Sequence, residues 1–397
     1  MKAFCVQTDT QIAPFGGSVG QVTVAGKPLV DVQREALDAA GFELVSSPPA
    51  SEPYLLFSDR TWFTSALLER IKRAGQGRLR INDPDWMAWS GPLNSWDEPG
   101  VYELAVRVGE PSFEGLSHLN LDVEFRAMDL NVAHSSFEHA NQNPVVSSAM
   151  ALQLEHWSHL VRVNQLVLAA RMEAAREDWE QAGLLGKLWR VLKVIFRARS
   201  TDGWKIASAL TERGQKVSIH PTAVVEFSVL HDGCEIGPHA VVRGSIVGAG
   251  AVIDSHAVVN ASVLGAGSRV GRFGHVNLCT LFPKAMVSSG DGFQMCVFGE
   301  ESFVAWGATV LDLSFGQTIK VEQGGPGSAI LDSEAYFLGA AIGHRARIGH
   351  GVKIGYGVAI PEDALLVDDT DFLRRWGEGP MGEPAIVRDG EAVAKKS

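Results

Sequence analysis

The sequence predicts an α/β domain over residues 1–149 and a helical connector over 150–216. A left-handed parallel β-helix over 217–368 and a tail over 369–397 complete it. Three observations predict this order. Ser228, Ser245, Ser262, Cys279 and Cys296 recur every 17 residues. Ile342, Ile348, Ile354 and Ile360 then recur every six. Before residue 200 the apolar residues follow helical and strand spacings instead.

The repeat decides the C-terminal half. Ser228-Val-Leu-His-Asp-Gly, Ser245-Ile-Val-Gly-Ala-Gly and Ser262-Val-Leu-Gly-Ala-Gly are one text copied at a fixed period, the mark of a solenoid. A six-residue unit is one short strand and one corner, and three units close a triangular coil. The aliphatic residue points inward, and the following position, often Gly, is expected to turn the corner with an unusual φ. Coils stack strand on strand at ~4.8 Å, and about seven or eight fit the length. Ile236, Ile253, Ile348 and Ile354 should therefore share one core. The Ser/Cys column reads as a small residue stacked at one inner position. A redox pair between Cys279 and Cys296 fits the spacing but not a reducing compartment. Residues Ser314–Ser333, with Gly324-Gly325-Pro326-Gly327, lack the hexad and read as a loop ejected from a coil, a place where function tends to sit.

The N-terminal half alternates strand and helix signals. Met1–Val6 is a short apolar strand. Pro28–Ala40 has helical spacing at Leu29, Val32, Ala36 and Leu37 and stops at Gly41. Pro53–Asp59 reads as a buried strand ending in a carboxylate, and Ser65–Arg73 as a second helix. Residues 78–145 read as strands and loops. A long helix is expected over 150–182. The 183–199 segment has five basic residues, no acids and interleaved Leu188, Trp189, Leu192, Ile195 and Phe196. It is expected either to pack on the neighbouring domain or to contact an anionic membrane surface peripherally.

Composition bounds the function. A net charge of −11 disfavours nucleic acid as a partner. Four scattered cysteines build neither a disulfide scaffold nor a zinc motif, so a cytoplasmic setting is expected. The first residues lack the apolar core of a signal peptide.

Taken together, the two halves resemble the bifunctional N-acetylglucosamine-1-phosphate uridylyltransferase/glucosamine-1-phosphate acetyltransferase family, sugar nucleotidyltransferases that carry a left-handed β-helix. The likeness rests on Ala25-Gly26-Lys27-Pro28-Leu29 with Gln33–Gly41, on Leu55-Leu-Phe-Ser-Asp59, and on His156–Asn164. It continues in Asp291-Gly-Phe-Gln-Met-Cys-Val-Phe-Gly299, Ala305–Val310 and Leu338-Gly-Ala-Ala-Ile-Gly-His344. The resemblance implies a phosphate contact at Lys27, a Mg²⁺ ligand at Asp59, a sugar phosphate or nucleotide sugar as ligand, and a homotrimer. It also implies acyl transfer from a coenzyme A thioester on the β-helix.

This chain departs from the family at both sites. The family's first strand leads into a Gly-x-Gly-Thr-Arg loop that cradles phosphate. Here Gln7–Ser18 holds only Gly16-Gly17 and lacks the Thr-Arg pair, so little nucleotidyl transfer is expected. At the family's catalytic histidine the register places Gln294, which cannot serve as a general base. Three other histidines are candidates: His344 above all, then His350 in the next hexad and His275 at a coil corner. His239 and His256 should form an exposed ladder. Arg345, Arg347 and Lys353 form a basic cluster suited to coenzyme A phosphates, and nearby positive charge should keep His344 neutral. The expected function is a transferase-like protein of sugar-nucleotide or envelope-sugar metabolism, acting as a hexapeptide-repeat acyltransferase. The alternative is a non-catalytic scaffold or regulatory subunit retaining the fold.

Overall fold

A computed structural model describes residues 1–127, 145–290, 292–325, 327–368, 385–388 and 391–394. Most of the 369–397 tail lies outside the described residues, as do 128–144 of the N-terminal domain.

The N-terminal domain is built on a six-stranded mixed sheet. Its order is Glu43–Leu44, Lys2–Val6, Tyr54–Ser58, Val101–Arg107, Gly77–Arg80, His118–Asn120. The first three strands are parallel, and Val101–Arg107 runs antiparallel to both its neighbours. Tyr54–Ser58 is buried along its whole length, as its unbroken apolar run requires. Helices α1 (Leu29–Ala39) and α2 (Ser65–Ala74) fall where their spacing places them. A helix α3 (Pro84–Ser90) interrupts the region read as strands and loops. Asp83 caps it through the Trp86 amide, and Pro84 occupies its first turn. The helix expected from 150 begins only at Trp157. Ala151–Gln153 is instead a strand paired with Thr61–Phe63, and His156 caps α4 (Trp157–Gln181).

The C-terminal domain is the β-helix. Two eight-stranded parallel sheets and a third face wrap one interior. Ile236, Ile253, Val270, Val287, Val304 and Ile348 stack in register. Ile236, Ile253, Ile348 and Ile354 all lie in one buried cluster. The gap of 44 residues between Val304 and Ile348 marks the ejected segment.

One local reading needs correction. Glycines that follow the inward aliphatic do not carry the unusual φ. Gly248 is needed because the next coil is too near: a Cβ there would sit 2.6 Å from the carbonyl carbon of Gly265. The left-handed residues are others, and three of these columns hold non-glycines: His239, His256 and Phe273; Lys284, Glu301 and Arg345; Phe227, Ala261, Leu278 and Met295. The last column explains the Ser/Cys ladder. The hydroxyls of Ser228, Ser245 and Ser262 each donate at 2.7 Å to the carbonyl two residues back, spanning the left-handed residue. Each hydroxyl oxygen then accepts the amide of the next ladder residue, Ser245, Ser262 and Cys279. Cys279 and Cys296 continue the column as buried free thiols. His239, His256 and Phe273 stack at 4.9 Å.

The two domains share a core. Phe282, Val297, Ala341 and Ala359 from the β-helix join the N-terminal cluster. Ile319 and Val321 from the ejected segment, and Leu338 just after it, join it too. That segment folds as a hairpin, Lys320–Glu322 against Ile330–Asp332, laid on the N-terminal domain. At the junction Asn164 of α4 accepts from the Ala25 amide at 2.8 Å. Its Nδ2 donates to the Thr23 and Leu160 carbonyls and to Thr280 Oγ. No helix among the described residues is long and apolar enough to cross a membrane.

Two substitutions test this architecture. Ile253→Asp puts an unpaired carboxylate in a dry interior, a cost of several kcal/mol, and is expected to abolish cooperative unfolding by circular dichroism; a soluble variant with a native spectrum would refute the register. Asn164→Ala orphans the Ala25 amide and is expected to destabilise by about 1–3 kcal/mol in urea denaturation. An unchanged midpoint would show that Asn164 does not couple the domains.

Candidate functional site at the domain junction

A cavity of about 400 Å³ opens where the loop after Lys2–Val6 meets the β-helix. From the N-terminal side Gly16, Gly17, Thr23, Gly26 and Lys27 line it. Phe282, Glu300, His344, Arg345 and Glu362 line it from the other. The loop is held there by Phe15, whose ring stacks on Phe282 at 4.9 Å and lies 5.3 Å from His344. The Gly16 amide donates to the Glu362 carboxylate. Thr23–Val24 and Lys27–Pro28 form a tight hairpin, with Ala25 and Gly26 both at positive φ as a two-residue turn of this hand demands. Asn164 grips that turn, so Lys27 is presented at the cavity's rim, paired with Glu35 at 2.5 Å.

Lys27, His344 and Arg345, three of the residues expected from the sequence, thus meet in one cavity. The state of His344 limits its chemistry. Its Nδ1 accepts the Glu300 amide at 2.7 Å. The lone pair is therefore spent, and in the neutral ring Nε2 carries the proton. His344 is placed as a donor, not as a base. Burial is the main cause that holds its pKa below the ordinary value. Glu362 and Glu300 oppose this, and Arg345 adds to it only as a lesser cause. The expectation that positive charge dominates is corrected accordingly. Arg345 is clamped by Asp363 at 2.7 and 2.8 Å and by Glu362 at 3.1 Å, which pushes its pKa up.

The other expected residues lie elsewhere. Arg347 and Lys353 stand on strands of different sheets, so the three cations do not gather as one cluster. His350 stacks on Trp306 at 5.2 Å and reaches its carbonyl, at a different corner from His344. His275 is not at a corner: it begins the strand His275–Asn277 and is exposed on a flat face. Gln294, on that same face, is held between the Asn277 amide at 2.7 Å and the Asp312 carboxylate at 2.8 Å. Asp59 is only 4% exposed. One of its oxygens accepts the Thr8 amide and hydroxyl, at 3.1 and 2.7 Å. The other is buried without a hydrogen bond, and burial raises its pKa. No group of three or more metal-ligating side chains gathers among the described residues. Mg²⁺ needs an open octahedron of oxygens, so Asp59 as placed does not fit that role.

The ejected segment does wall a cavity, though not one lined by Arg345, Arg347 or Lys353. Gln323, Leu331 and Asp332 face Thr10, Arg60, Glu155 and His156 across about 470 Å³. Arg60 is anchored there by Glu103 at 2.6 and 2.8 Å and by Glu155 at 3.3 Å. His156 Nε2 meets the Glu322 carbonyl at 3.1 Å, tying the hairpin to α4. Sequence reasoning missed this second cavity, since its walls come from segments more than 300 residues apart.

Residues 210–310 match the GMPPB C-terminal domain. That domain is the left-handed β-helix of a GDP-mannose pyrophosphorylase, a sugar nucleotidyltransferase. The match covers 101 of 397 residues, nearly all of them in the β-helix. The likeness of this part of the chain points to sugar-nucleotide metabolism and a transferase-like protein. No curated protein matches the chain.

Buried histidines give the junction a pH dependence. Burial lowers His156 from 6.5 to about 4 and also holds His159 well below its ordinary value. Both are neutral when folded but protonate in the unfolded chain below 6.5. Their contribution to stability is complete above that value and is lost as pH falls toward about 4. Urea midpoints measured across this window should decline, and the decline should shrink in His156→Gln. A flat profile would contradict the assigned burial.

Proposed function

We propose that this chain is a ligand-binding, non-catalytic or regulatory member of the transferase-like proteins of sugar-nucleotide metabolism. The junction cavity is its binding site for a sugar phosphate or nucleotide sugar. The observation that carries this reading is the state of His344, whose only basic nitrogen accepts the Glu300 amide. With Gln294 at the position where the resembling family has its base, neither that position nor His344 supplies the proton acceptor that acyl transfer needs. The cavity keeps what recognition needs. Lys27 and the Nε2–H of His344 suit a phosphate, and the carboxylates of Glu300 and Glu362 suit sugar hydroxyls. The capped, buried Asp59 and the absent Thr-Arg step argue against nucleotidyl transfer.

A second reading, acyl transfer from a coenzyme A thioester in a homotrimer, is favoured by one observation. His275 lies exposed beside Asn277 and Gln294 on a flat prism face, where a neighbouring subunit could complete a cleft.

Thermal shift and calorimetry with sugar phosphates, nucleotide sugars and coenzyme A separate the readings, because ligand binding raises apparent stability. The first expects binding of a phosphosugar, weakened about tenfold or more by Lys27→Ala, with no release of pyrophosphate from nucleoside triphosphates. Coenzyme A binding by a trimeric species, with turnover lost in His275→Ala, would replace it with the second. No binding of any of these ligands would end both.

A further inference from the structure

Helix α5 (Leu184–Ala198) stands apart from both cores: none of its residues is buried. It is held by α6 (Gly203–Ala209) and by a bond from Arg197 to the Thr211 carbonyl at 3.0 Å. Leu184 and Phe196 are each 85% exposed, Leu185 82% and Trp189 67%, and Leu188 and Leu192 are exposed as well. At about 100° per residue these six side chains fall within an arc of roughly 140°. Lys187, Arg190, Lys193 and Arg197 occupy the opposite arc. Residues 182–201 contain no acid, in a chain whose net charge is −11.

We propose that α5 docks this protein on an anionic lipid bilayer, lying in the plane of the interface with its apolar arc in the acyl boundary. The inference is independent of the junction cavity. Burying six large apolar side chains supplies the insertion energy. The basic arc flanks the apolar one at headgroup level, where each cation gains from anionic lipid. Complementarity of charge selects this occupant. The face has no acid to answer a basic partner. A second copy would bring an equally cationic helix against it and repel it. A helix of 15 residues is too short to span the bilayer, so the contact is peripheral. Its bulky tips, Trp189 and Phe196, are side chains that favour the interface.

The experiment is co-sedimentation of the full chain with vesicles of phosphatidylcholine containing phosphatidylserine, and with phosphatidylcholine alone. Binding is expected to the first and to be at least about tenfold weaker to the second. Leu185→Gln/Phe196→Gln, which keeps every charge, and Arg190→Gln/Lys193→Gln, which keeps every apolar residue, should each weaken it by at least about tenfold. Circular dichroism checks that helix content is kept; if one pair melts α5, the other pair, on the opposite arc, carries the test. Absence of serine-lipid-dependent binding overturns the proposal. So does undiminished binding by both folded variants. A concentration-dependent dimer by light scattering, lost in Leu185→Gln/Phe196→Gln and accompanied by no vesicle binding, also overturns it and assigns the face to a second copy of the chain.

Discussion

Every coil of this β-helix must turn three corners, and corners of the chain place a residue in the left-handed region of φ/ψ. For residues other than glycine that costs roughly 1–2 kcal/mol each. The fold exists because the cost is offset in place. In the column of Phe227, Ala261, Leu278 and Met295, the ladder residue that follows reaches back across the strained residue to the carbonyl before it. Its oxygen then receives the amide of the coil above. A small hydrogen-bonding residue every 17 positions is therefore a requirement of the turn. Serine meets it with a full donor and acceptor, and cysteine meets it more weakly through its thiol. Where a corner lies outside such a spine, stacking takes over, as in His239, His256 and Phe273.

On this rigid prism the N-terminal domain docks through one face, and the docking explains the fate of the candidate catalytic groups. Phe15 and Phe282 close on His344 and draw it into the junction. There its imidazole finishes a corner by accepting the Glu300 amide. Arg345, at positive φ on the same corner, is consumed by Asp363 and Glu362. The same contacts that join the domains leave a cavity with charges of both signs, suited to holding a ligand more than to moving a proton.

How much of this could be read from the sequence follows from which interactions are local in the chain. The hexads, the 17-residue column and the inward positions of Ile236, Ile253, Ile348 and Ile354 are visible because neighbouring coils are copies. Lys27, His344 and Arg345 were legible as candidates by residue type. Their state was not, since Glu300 lies 44 positions from His344 and Glu35 reaches Lys27 across a helix turn. The cap Asp83 and Pro84 mark the start of α3, though the residues around them carry no clear helical period. The strand Ala151–Gln153 was hidden for a different reason: its apolar residues suit a helix equally well, and only pairing with Thr61–Phe63 decides. Nothing local marks Asn164 as the residue on which two domains close.

The shared core sets an order on synthesis of the chain. The apolar surface of the N-terminal domain has been made once α4 is complete, yet Phe282, Val297, Ile319, Leu338 and Ala341, which cover it, follow much later. At 5–20 residues per second the roughly 160 residues from the end of α4 to Ala341 take about eight to thirty seconds. Throughout that interval the nascent domain presents an unfinished face to its surroundings. A chaperone that shields this face until the ejected hairpin arrives would matter more to the yield of this protein than to its final stability.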